Sequence, residues 1–150
     1  MKNIILIFLS LIFLVNVNSC SSESNKFHPD LMDEMHVCHE NSNYDSTTIL
    51  SALVGTYDWR YVRVAMSSYE SDEDYNGWML QLNNDGSFEL NQNDTNTVLG
   101  NWFIEKSLAS FQINTQPTIE SVWGEILICD SYLMFFNSPL DGPDHLYQKR

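Results

Sequence analysis

Few side chains in this chain carry obvious chemistry, and they are scattered. The cysteines are Cys20, Cys38 and Cys129, and the histidines are His28, His36, His39 and His145. The densest cluster, His36, Cys38, His39 and Glu40, has the donor softness that zinc or copper favours. A structural site needs four ligands with satisfied neighbours, and no second cluster downstream completes one. No metal is expected; the cluster reads as a solvated helix face with Cys38 turned inward. Glu70-Ser71-Asp72-Glu73-Asp74-Tyr75 offers carboxylates to calcium, but no glycine lets the chain fold around an ion. It reads as a solvated loop at one rim. Asn93-Asp94-Thr95 matches a glycosylation acceptor pattern, although its residues suit a turn. No Ser, Cys or Thr lies in a nucleophile motif, no glycine-rich phosphate loop occurs, and the four histidines fall outside the expected strand core. Neither catalysis nor a cofactor is expected.

The remaining candidates are aromatic. Tyr57, Trp59, Tyr61 and Arg63 alternate along one run, and Trp78, Phe88 and Trp102 recur at strand spacing further on, with Leu80, Ile104 and Phe135. If all of these face one interior, they line an aromatic cavity with a single cation. Such a cavity suits a small apolar or amphipathic molecule bearing an acid, with Arg63 and a tyrosine hydroxyl holding the anion. The same rings equally serve to fill a core, with Arg63 at its rim. Both readings stand on sequence alone.

The totals narrow the partners. Removing residues 1–19, whose only charge is Lys2, leaves six Lys and Arg against twenty Asp and Glu, a net charge of −14. That balance argues against nucleic acid or an anionic bilayer held through a basic patch. It is compatible with a basic protein partner, steered by charge and sensitive to salt. With 43% hydrophobic residues in 150, one domain can build a real core.

Met1-Lys2-Asn3 is a short positive start, followed by an apolar run from Ile4 to Val15 broken only by Ser10. The run is short of the roughly 20 residues that span a bilayer and fits a cleaved signal over residues 1–19. Val17-Asn18-Ser19-Cys20 resembles the lipobox of bacterial lipoproteins, which implies that the Cys20 thiol carries the lipid anchor. Ser21, rather than an aspartate, implies delivery to the outer membrane. Multiple acyl chains on one residue anchor stably where a single chain does not. Residues 20–26 then form a polar tether.

Residues 27–54 lead into the folded part. His28-Pro29-Asp30 can open a helix on which Leu31, Met35 and Cys38 share a face. So short a helix must dock against something, and the expectation is the barrel described next. Asp45-Ser46-Thr47-Thr48 announces a second short helix carrying Ile49, Leu50 and Leu53. With Cys20 lipidated, Cys38 and Cys129 are the remaining pair. They either bridge, closing a loop of about 90 residues, or stay as two buried thiols.

Residues 55–150 read as strands. From Trp78 to Glu105, apolar residues fall at every second position in three runs. Asn84-Asp85-Gly86 and Asn93-Asp94-Thr95-Asn96 form the turns between them. Gly55 to Met66 precedes them; Leu108 to Ile113, Ile119 to Ile128, Tyr132 to Asn137 and Asp144 to Lys149 follow. The fold class is all-β: about eight antiparallel strands in an up-and-down, lipocalin-like barrel, closed because closure removes both edges. A two-sheet sandwich is the alternative.

Leu53-Val54-Gly55-Thr56-Tyr57, Leu80-Gln81-Leu82, Asp85-Gly86-Ser87-Phe88, Gly100-Asn101-Trp102 and the closing Leu146-Tyr147-Gln148-Lys149-Arg150 carry a resemblance. Together they resemble the lipocalin-like lipoproteins abundant in Bacteroidetes, over residues 53 to 150. The resemblance implies a glycine and an aromatic residue opening the first strand, with a basic residue from the last strand over the ring. Tyr57 stands where that family has Trp, and Lys149 or Arg150 would supply the cation. It marks a fold and leaves the ligand open.

Overall fold

The computed structural model describes residues 30–64, 74–93, 96–108 and 110–150. The signal segment, Cys20, the tether, His28, Glu70 to Glu73 and Asp94-Thr95 lie outside the described residues.

Two helices, α1 (Asp30–Ser42) and α2 (Ser46–Leu53), precede eight strands. These are β1 (Gly55–Val64), β2 (Met79–Leu82), β3 (Ser87–Gln92), β4 (Asn96–Ser107), β5 (Ser110–Gln116), β6 (Gly124–Cys129), β7 (Tyr132–Phe136) and β8 (Pro143–Lys149). Each strand pairs antiparallel with the next, and β1 also pairs with β8, so the sheet closes into a barrel. The expected meander is what forms, and the sandwich is excluded. Alternation then decides what is inside: Tyr57, Leu80, Leu82, Phe88, Leu90 and Ile113 are among the buried residues of one continuous core.

Departures from strict alternation have identifiable causes. Leu108 is 99% exposed at a φ of 50°, so β5 starts after it, at Ser110. The strand expected from Ile119 begins only at Gly124, and Glu120–Val122 is instead a 3-10 turn. The Thr115 hydroxyl accepts from the Ile119 N–H (2.9 Å), and Ser121 and Val122 are buried. The larger departure is in β1, where the register against β8 shifts between Trp59 and Tyr61. Such a bulge reverses the faces of every later side chain. Tyr57 and Trp59 point into the core and so does Val62, whereas Tyr61 packs with Leu127, Met134 and Leu146 in a second cluster. Arg63 follows Tyr61 on that outer side and donates from Nε to Asp144 Oδ2 at 3.0 Å. The common inward face expected for Tyr57, Trp59, Tyr61 and Arg63 is thus corrected.

Helix α1 lies on the outside of the barrel. Its Met35 is buried on Leu127, Met134 and Leu146, and the Cys38–Cys129 disulfide ties the helix to the end of β6. The helix also compensates for a weak seam. β5 and β6 pair only at Gln112 with Glu125 and at Ile113 with Gly124. The Ile128 N–H donates to His39 Nδ1 at 3.0 Å, so an imidazole stands in for part of a strand partner. Beside this seam lies a cavity of about 390 Å³, lined by His36, His39, Tyr44, Phe111 and Glu125 among others. At residues 36–40, then, the histidine-cysteine cluster docks the helix.

The disulfide joins residues 91 apart in sequence, which in the chain-entropy account stabilises the fold by about 4 kcal/mol. The double variant Cys38→Ser, Cys129→Ser is expected to lose that much in urea unfolding, with reductant producing the same loss in the native chain. A loss below about 1 kcal/mol would mean that the contacts of Met35 and His39 hold α1 unaided.

Candidate ligand site at the mouth of the barrel

The two ends of the barrel are closed differently. At one end α2 is a fixed stopper. Asp45 caps it, accepting from Thr47 N (3.0 Å) and Thr48 N (2.7 Å), while Thr48 Oγ1 accepts from Asp45 N. These hydrogen bonds, that of the Thr48 backbone foremost, hold the Asp45 carboxyl below the usual range. Ile49 and Leu53 project into the core and are fully buried. The Tyr57 hydroxyl donates to the carbonyls of Leu53 (2.8 Å) and Ala52 (3.1 Å). Lys149 Nζ donates to Val54 O (2.8 Å) and Ala52 O (3.1 Å), and it sits 5.6 Å from the centroid of the Tyr57 ring. A Cβ on Gly55 would come within 2.5 Å of the Lys149 chain, so glycine is required for this closure. Arg150 pairs elsewhere, with Asp58 at 2.7 Å.

At the other end, among the described residues, the closure is one aromatic ring and a short turn. Tyr75 stacks on Trp59 (5.1 Å between centroids) and meets Trp78 (4.7 Å) and His145 (5.0 Å) edge to face. Besides these ring contacts, the backbone of Tyr75 accepts one turn hydrogen bond among the described residues, from the Trp78 N–H at 3.0 Å. Trp59 Nε1 donates to His145 Nδ1 (3.3 Å), which places the imidazole proton on Nε2. His145 Nε2 is buried with no hydrogen-bond partner among the described residues, and the buried Tyr147 and Ser121 hydroxyls have no partner but each other. Ser121 lies beside Tyr147, and Tyr75 is close enough to both Tyr147 and Glu120 to interact with their charges. Unpaired buried polar groups are uncommon, and a buried histidine N–H without an acceptor at the mouth calls for an explanation.

The electrostatics follow from burial. Desolvation lowers the His145 pKa to about 4, against a smaller opposing pull from Asp144, so the ring is neutral. Burial pushes the Tyr147 and Tyr57 hydroxyls well above the usual range. Tyr75 is raised too, by desolvation first and then by Glu120 and Asp74. The mouth is therefore uncharged inside and acidic at its rim.

Of the seven aromatic and basic residues picked out from sequence, only Trp59 and Trp78 meet here. Tyr57 belongs to the helix end. Trp102 is buried and its Nε1 donates to Asn83 O (3.1 Å), beside the β2–β3 turn. Phe88 fills the core. Tyr61 and Arg63 are on the outer face, as described above. One expectation is corrected: His145 is fully buried within β8. Of the acidic stretch expected as a solvated rim loop only Asp74 and Tyr75 are described, Asp74 exposed and Tyr75 half-buried among rings. The signal for His145 was present, because His145 and Tyr147 alternate with Asp144 and Leu146. Nothing local marked Tyr75. Among the described residues, no group of three or more His, Cys, Asp or Glu could hold a metal ion.

A neutral buried histidine stabilises the fold fully above pH 6.5 and loses that contribution as pH falls towards 4. The native chain is expected to lose on the order of 3 kcal/mol more unfolding free energy over that range than His145→Gln, which keeps an acceptor for Trp59. Parallel pH profiles for the two proteins would contradict the assignment.

No family model, no curated protein and no solved structure matches this chain.

Proposed function

We propose that this chain is a non-enzymatic, lipid-anchored envelope protein of lipocalin-like type, whose barrel binds a small apolar or amphipathic ligand. The observation that supports this is the asymmetry of the barrel ends. A capped helix and a lysine clamp close one end, whereas at the other, among the described residues, the Tyr75 ring lies over an unpaired histidine N–H. A barrel selected only for stability has no use for a buried histidine N–H left without an acceptor. Ligand sites, by contrast, combine apolar walls with a few placed polar groups. The lower lumen is packed with side chains, so the ligand sits at the mouth. Anchoring through Cys20 rests on the sequence, with Ser21 favouring the outer membrane.

A protein partner is the second reading, favoured by one feature of the surface. Leu99 (67% exposed) and Phe103 (48% exposed) stand on the outer face of β4, close to Glu89 and Glu105. An apolar pair ringed by carboxylates suits a basic partner.

Purified protein carrying Cys20→Ala is expected to copurify with a small molecule, or to show quenched tryptophan fluorescence with one member of a panel of fatty acids and aromatic amphiphiles. Silence across the panel, with a salt-sensitive protein captured from envelope extract, would replace this reading with the partner one. In cells, Cys20→Ala is expected to leave the membrane fraction; full retention would refute the anchor.

A further inference from the structure

We propose that the Tyr75 ring is a built-in occupant of a site for an uncharged, planar aromatic molecule bearing a hydrogen-bond acceptor, and that such a molecule binds by displacing it. This inference rests on the ligand-binding reading above, and adds the ligand's chemistry and what competes with it.

The shape of the site comes from what already fills it. Trp59, Trp78 and His145 surround one six-membered ring at centroid distances of 4.7 to 5.1 Å, the spacing that aromatic stacking and edge contacts prefer. The polar requirement comes from what that ring leaves unmet. His145 Nε2 carries a proton with nowhere to donate it, while the buried Tyr147 and Ser121 hydroxyls have no partner but each other. Tyr75 satisfies the box as a hydrocarbon and fails it as a hydrogen-bonding partner. A ring carrying a carbonyl oxygen does both, so it gains what Tyr75 cannot.

The charge of the ligand follows from the surroundings. Arg63, the cation assigned to the cavity from sequence, is on the outer face against Asp144, and Asp74 and Glu120 flank the ring. An aromatic acid therefore meets the Asp74 and Glu120 carboxylates, and among the described residues no cation is placed against the ring. An amine turned inward sets its own N–H groups against the buried His145 Nε2–H, donor against donor. A neutral acceptor escapes both penalties. Displacement breaks the three ring contacts and strains the turn hydrogen bond to Trp78; the incoming ring restores the first, so the turn bond is the net tie given up.

Three phenols of one ring size separate these demands: 4-hydroxybenzamide, 4-hydroxybenzoate and tyramine, titrated by calorimetry into the full-length chain and its Tyr75→Ala variant. The amide is expected to bind Tyr75→Ala at least about tenfold more tightly than the native chain, because the competing ring is gone. It is also expected to bind at least about tenfold more tightly than the acid or the amine. In the native chain, the amide is expected to speed hydrogen exchange at the Trp78 N–H. That readout needs no substitution and decides the matter if Tyr75→Ala does not fold. Equal binding of the three phenols, no gain in folded Tyr75→Ala, or unchanged exchange at Trp78 with the amide bound would overturn the inference. Binding of a fatty acid without the amide overturns this inference alone; binding of neither overturns the ligand reading with it.

Discussion

Pairing of β1 with β8 is the contact on which the rest of the structure depends. Without it the eight strands form a sheet with two exposed edges and no interior. With it, side chains are sorted into a lumen and an outer face, and eight strands leave a lumen only wide enough for side chains or one small molecule. The same pairing carries the bulge between Trp59 and Tyr61, which adjusts that sorting along β1. One extra residue sends Tyr61 to the helix-covered surface and Arg63 to Asp144. Asp144 accepts in addition from the backbone of Asn137 and Ser138, which joins the closing strand to the loop before it. The interior thereby loses the cation that its sequence spacing assigned to it.

The outer face has its own constraint at the β5–β6 seam. Two strands that pair over so few residues leave backbone donors without partners, and a buried donor must be satisfied somewhere. His39 does this for Ile128, and Met35 covers the apolar patch beside it. Burial lowers the His39 pKa, which favours the neutral ring that can accept this bond. Helix α1 is thus part of the wall and not an appendage, and the disulfide holds it where the wall is thinnest.

A difference in rigidity separates the barrel ends. At the helix end, Tyr57, Lys149 and α2 satisfy one another's hydrogen bonds, so nothing there is left wanting. At the other end Tyr75 supplies ring contacts without satisfying the polar groups below it. Stability and ligand binding make opposite demands on such groups, and an element that closes incompletely is where the two are reconciled.

The sequence alone was enough for the all-β class, the strand count and the order of pairing, because period-two spacing and Asp-Gly turns are local signals. It also placed Met35 and Cys38 on one helical face and announced a second helix through Ile49, Leu50 and Leu53, of which the structure buries Ile49 and Leu53 and leaves Leu50 exposed. Four things were left to the tertiary structure. A bulge depends on the neighbouring strand, so the side taken by Tyr61 and Arg63 could not be read from β1 itself. The 3-10 turn at Glu120–Val122 depends on Thr115 across a loop. The disulfide depends on α1 crossing to β6. Tyr75 sits in a polar stretch with no periodicity, and its role exists only because Trp59, Trp78 and His145, up to 86 residues apart, close around it. Local spacing records which way a strand alternates; which rings meet at the end of a closed barrel is settled by long-range registry, and that has no local trace.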